Sequence, residues 1–250
     1  MERLKMIELP VTVDLLKLAS SIEARGGSKK LAGTFRMAWR AQSCVADLRQ
    51  AQAACDVLDK LPPLASTLDP ATLLSMQSAL FASAVTLYAR ATATGGSPRE
   101  RGSIQLETAK LTAQQQQDHD TLIRLRNSAL GHVESGATIA GDFWHRDFLF
   151  AKAVAPGNWQ IACASTSIGF HFEAAEMLKR QLPIATQLVL MRCRERIEAA
   201  MAALRELNPT SSSLSRYQVD PITWFGSVET ARMALEGEPG DELSSWGPLR

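Results

Sequence analysis

Residues suited to metal and redox sites are scarce here: four cysteines, four histidines and two tyrosines in 250 residues. Cys44, Cys55, Cys163 and Cys193 have neither Cys-x-x-Cys spacing nor a histidine at zinc-site distance, which excludes a zinc ribbon and a thioredoxin-like motif. The expectation is reduced thiols in a cytoplasm, with no metal and no cofactor. An excess of one charge is also missing. With 27 Lys and Arg against 26 Asp and Glu, no diffuse basic field grips nucleic acid, so any such contact has to be local. No apolar run approaches the roughly 18 residues of a membrane span, and the opening MERLKMIELP lacks a secretion segment, so no membrane partner is expected. There is no Gly-x-Ser-x-Gly elbow for acyl transfer. Gly26-Gly27-Ser28-Lys29-Lys30 lacks the glycine spacing of a phosphate loop and reads as a turn. No repeat of fixed period points to a solenoid.

What is present is helical. At 46% hydrophobic residues, the chain can bury an ordinary core. From about Val13 to Leu61 the composition predicts a short helix, a Gly-Gly turn and a longer helix. Asp69 and Pro70 form a cap and first-turn pair for a helix ending at Gly95-Gly96, with Leu73, Met76, Leu80, Ala84 and Leu87 as its apolar stripe. Ser97-Pro98-Arg99-Glu100 has the capping-box pattern, and a further helix is predicted from Ile104 through Gln114–Gln117 to about Leu130. The period then changes. FWHRDFLFAKAV and NWQIACASTSIG flank Ala155-Pro156-Gly157-Asn158, which predicts a β-hairpin over about 143–169. Helix resumes afterwards, with Pro183 expected to divide a short helix from a long one ending near Leu207. The expected fold is therefore mainly α: a helical domain over 1–208 with one hairpin insertion. A partly ordered extension over 209–250 is expected to carry one short helix near 226–235 and to dock through Trp224, Phe225 and Trp246.

The chemistry gathers in LIRLRNSALGHVESG, residues 122–136. Arg126 follows His119 by seven residues, which on a helix is one face, about 20° from alignment and roughly 10 Å along the axis. A glycine such as Gly131 can turn a helix end back and bring His132 towards Arg126. A histidine titrating near neutrality and a permanent guanidinium suit metal-free RNA cleavage. The imidazole moves protons at the 2′-hydroxyl or the leaving 5′-oxygen, and Arg126 stabilises negative charge on phosphorus. Asn127 orients the phosphate or the ring. The same residues also make a polar helix C-cap, with cations favoured by the helix dipole. Each chain supplies one imidazole to the cluster, so a twofold dimer or His119 would supply a second.

The segment RNSALGH resembles the Arg-Asn-x4-His form of the HEPN superfamily motif, closely over residues 119–134 and loosely over 69–208. That resemblance implies an all-helical bundle and a metal-independent endoribonuclease, often of toxin–antitoxin or phage-defence systems, working as a homodimer with its motifs facing one another. It implies Arg126, His132 and Asn127 as the catalytic set, and His119, Arg90 and Tyr88 as polar residues on the substrate side. RNA would be the substrate, with an antitoxin or regulatory protein encoded separately. A noncatalytic HEPN-type module that binds nucleotide, nucleic acid or protein would use the same groups. Outside the motif, His145 and His171 sit among aromatics without a metal-ligand set and read as structural. Arg192, Arg194 and Arg196 lie beside Glu195 and Glu198 and read as a solvated ion-pairing face.

Overall fold

The computed structural model describes residues 11–64, 66–93, 95, 101–130, 138–139, 141–207 and 211–236. The fold is mainly helical. Strand β1 (Thr12–Val13) leads into helices α1 (Leu15–Ala24), α2 (Lys29–Lys60), α3 (Pro70–Thr92) and α4 (Ala113–Leu125). A π-helical turn, Arg126–Leu130, continues α4. Short strands β2 (Thr138–Ile139) and β3 (Asp142–Phe143) precede the long ribbon of β4 (His145–Ala155) and β5 (Asn158–Ser167). Helices α5 (Phe172–Leu207) and α6 (Ser211–Leu214), strand β6 (Gln218–Val219), and helices α7 (Pro221–Phe225) and α8 (Val228–Glu236) complete the chain.

The chain forms two compact units whose division falls inside α2 and α5: residues 1–43 with 190–250, and residues 44–189. The first is organised around Leu18, Ala19, Ala32, Phe35, Ala200 and Tyr217. Asp14 caps α1 by accepting from the backbone amides of Leu16 and Lys17 at 2.9 and 3.0 Å. The Gly-Gly turn then lets α2 start, with Gly26 at a φ of 70°. Leu214 and Tyr217, from the segment after α5, take part in this core. Strands β1 and β6 pair antiparallel, Thr12 with Val219 and Val13 with Gln218, and the buried Tyr217 donates from its hydroxyl to Ser21 Oγ at 2.7 Å. Of the expected docking residues Phe225 is half-buried and Trp224 exposed, and Tyr217, Pro221 and Ala231 are the buried side chains among the described residues of this segment. Trp246 lies outside the described residues.

The second unit holds α3, α4 and the ribbon. The Asp69 cap on α3 is present, with its carboxylate accepting from Ala71 and Thr72. The predicted apolar stripe of α3 is corrected: Met76 is exposed and Leu73, Leu80 and Leu87 are half-buried. The buried set is Phe81, Ala84, Val85, Tyr88, Ala89, Ala91 and Thr92, which lies in the C-terminal half and puts the two aromatics inward. By length and composition α3 is long enough and apolar enough to cross a membrane.

Two helix boundaries also differ from expectation. Residues 101–107 are not helical, and α4 begins at Ala113, because Thr112 caps it reciprocally with Gln115: Gln115 Oε1 accepts from the Thr112 amide at 2.9 Å. Ser97-Pro98-Arg99-Glu100 lies outside the described residues. Helix α5 runs unbroken through Pro183. The bond lost at that imide is offset by an apolar face in which Leu178, Leu182, Ala185 and Val189 are all fully buried.

The ribbon is the expected hairpin, antiparallel from His145↔Ser167 to Ala155↔Asn158, with an irregularity between Ala153 and Ala155. Its base is closed by the Ile168 amide donating to the Trp144 carbonyl at 3.0 Å. Trp144 stacks on Phe81 at 6.1 Å, and Phe170 meets the same ring edge-on at 5.7 Å. Gly169 permits this approach, since a Cβ there would lie 2.1 Å from Ser78 Oγ.

Candidate functional site

Helix α4 buries a mixed face, Asp118, His119, Leu122 and Leu125, against the interior of its unit. Two of these positions are polar, and both have bonded partners. His119 Nδ1 lies 2.7 Å from the hydroxyl of Tyr88 on α3, and the two rings meet edge-on at 5.8 Å. Burial pushes the Tyr88 hydroxyl well above its ordinary value and holds His119 below the usual imidazole value, with Asp120 opposing the latter shift. Tyr88 therefore keeps its proton and can donate it to Nδ1, which leaves the imidazole proton on Nε2. Asp118 is tied as firmly: Arg180 Nε and Nη2 donate to its Oδ2 at 3.1 and 3.0 Å, and Gln114 Nε2 donates to Oδ1 at 2.9 Å.

At Arg126 the hydrogen-bonding step lengthens from four residues to five, and from here to Leu130 no side chain is fully buried. Arg126 is half-buried and Asn127 exposed, and Arg126 Nη1 donates to Asn127 Oδ1 at 2.9 Å. Asn127 and Ser128 are weak helix formers, which suits a widened last turn. A guanidinium has five N–H donors, so this bond leaves donors for a bidentate contact to phosphate. The chain is held again at Thr138, whose carbonyl accepts from Arg124 Nη2 at 3.0 Å. Gly131 and His132 lie outside the described residues.

The structure thus joins Tyr88 to His119 and Arg126 to Asn127, and turns the first pair inward. Tyr88 is fully buried and His119 is 7% exposed, so their side chains lock α3 to α4 and do not present to solvent. Arg90 is drawn elsewhere. Its Nε donates at 2.9 Å to Asp47 Oδ2 on α2, and Arg101 pairs with the same carboxylate. Asp47 is only 4% exposed, so the two arginines neutralise a buried charge.

Asp47, Asp118 and Arg180 were missed in the sequence because their partners are 43 to 62 residues away, with no local spacing to reveal them. Thr112-Ala-Gln-Gln115 carries its capping pattern in the local sequence. His171 is structural, accepting at Nδ1 from the Ala174 amide at the start of α5 while Nε2 faces Asp142 at 2.7 Å. His145 lies 3.0 Å from Asp147, which also accepts from Ser165 at 2.6 Å. The carboxylate stands between serine and imidazole, so the ring cannot activate that hydroxyl. Among the described residues no three His, Cys, Asp or Glu gather as a metal site. No protein-family model, curated protein or solved structure matches the chain.

Proposed function

We propose that this chain is a HEPN-like, metal-independent endoribonuclease of the kind found in toxin–antitoxin and phage-defence systems, acting in the cytoplasm. The observation that carries the reading is Arg126 and Asn127 side by side on a π-helical turn that ends α4, within an Arg-Asn-x4-His sequence. π-Turns recur at functional sites because they aim side chains that a regular helix would stagger differently. In the reaction the 2′-oxygen forms a bond to phosphorus as the bond from phosphorus to the 5′-oxygen breaks. His132 takes the 2′-hydroxyl proton or supplies one to the leaving oxygen. Arg126 donates to the phosphoryl oxygens, where negative charge builds, and Asn127 orients its guanidinium. His119 is held neutral and bonded at Nδ1, so Tyr88 and His119 are positioning residues that fix the direction in which α4 ends. The second imidazole comes from a second copy of the chain.

Total RNA incubated with the purified chain in EDTA tests this. Cleavage is expected, and Arg126→Ala and His132→Ala should each lower it by at least about 10²-fold while His145→Ala does not. Unchanged cleavage in His132→Ala would overturn the assignment. RNA binding without any cleavage would favour the noncatalytic HEPN-type module.

A further inference from the structure

The β4–β5 ribbon is exposed along nearly its whole length, yet it is built from apolar residues. By its register, Leu149, Ala151 and Ala153 share one face with Cys163, Ile161 and Trp159. Leu149 is 75%, Trp159 65% and Ile161 76% exposed. The other face carries Phe148 and Phe150 between Arg146 and Lys152, so the first face is the uncharged one towards the tip. Isolated two-stranded ribbons are marginal in water. An apolar face of this size on one is a surface made to be covered.

We infer that this face packs against the same face of a second copy of the chain, so that two ribbons form a sandwich about a twofold axis. The pairing is self-complementary. Each cross-strand pair joins a large residue to a small one, Leu149 with Cys163, Ile161 with Ala151 and Trp159 with Ala153, so protrusions on one copy meet recesses on the other. The area is sufficient: two such faces bury on the order of 1,000 Å², the threshold of a specific contact. A nucleic-acid partner would need cations on this face, and towards the tip there are none. A lipid partner would leave both open strand edges without hydrogen bonds in hydrocarbon. The inference names a surface for the second copy invoked above but is argued from the ribbon alone, and self-association and cleavage are read separately.

Light scattering of the full chain at micromolar concentration should show a dimer. Ile161→Glu and Leu149→Glu should each weaken it by at least about tenfold, with the helical circular dichroism unchanged, because both residues are exposed. Gln160→Glu on the opposite face should leave it intact. Cys163 is the exposed cysteine of the four, so maleimide should label it more slowly as the dimer forms, and at full rate in Ile161→Glu. A monomeric wild type, a dimer indifferent to both glutamates, Cys163 labelling that ignores concentration, or sedimentation with phospholipid vesicles in place of dimerisation would each overturn the inference.

Discussion

Between Ala113 and Leu125, α4 turns Asp118 and His119 inward beside Leu122 and Leu125; from Arg126 to Leu130 no side chain is fully buried. Both buried polar side chains have partners: His119 has Tyr88, and Asp118 has Arg180 and Gln114. Burial there makes geometry definite and holds the His119 imidazole below its ordinary value. Beyond Leu125 the turn widens, burial ceases, and Arg126 has only the adjacent Asn127 as its partner among the described residues. His119 and Arg126, seven residues apart, thus differ in exposure because of what packs over them.

The comparison breaks most readily at Tyr88. Tyr88→Ala removes a fully buried ring and the partner of His119, and urea denaturation should show a loss of roughly 3–5 kcal/mol. Arg126→Ala should leave the urea midpoint nearly unchanged, and equal losses in the two variants would dissolve the distinction. Thr112→Ala acts on the cap where the inward stretch begins, and should cost about 1 kcal/mol. A variant as stable as wild type would show that packing alone starts α4.

The subtlest test is pH. The folded imidazole of His119 is held below its ordinary value chiefly by burial, so acid protonates the unfolded chain first. Its contribution to stability is complete above the unfolded value of about 6.5 and is lost as pH falls from there through the lowered folded value. His119→Gln should flatten that part of the stability profile. A wild-type and a variant profile of the same slope would show that His119 does not titrate on unfolding.

The ribbon was legible because its signals are local: alternating aromatic and β-branched residues on either side of a Pro-Gly turn. The helix pair before residue 61 was legible for the same reason. Helix α4 starts nine residues after the predicted Ile104, because the segment between Gly102 and Thr112 holds no strong breaker that would mark it from sequence. The reciprocal Thr112–Gln115 cap then set the boundary. Pro183 was expected to end a helix on local grounds. Pro183 is exposed, and four fully buried apolar residues on the inner face of the helix outweigh one missing hydrogen bond. In the candidate site, proximity of Arg126 and Asn127 follows from adjacency in the chain. The inward facing of His119 and Tyr88 does not, because 31 residues separate them and only the packing of α3 on α4 closes that gap.

By itself, then, the sequence determined a mainly helical chain, its one long ribbon, and an Arg-Asn-x4-His run placed where a helix ends. These depend on propensity, turn chemistry and spacing, which act over a few residues. The tertiary structure decided which side chains are buried: that Arg90 turns to Asp47, that His119 is sealed against Tyr88, and that Leu149, Trp159 and Ile161 are left exposed on the single chain. Burial depends on which distant segments meet, and the same residue types would pass for site, core or surface until those meetings are known.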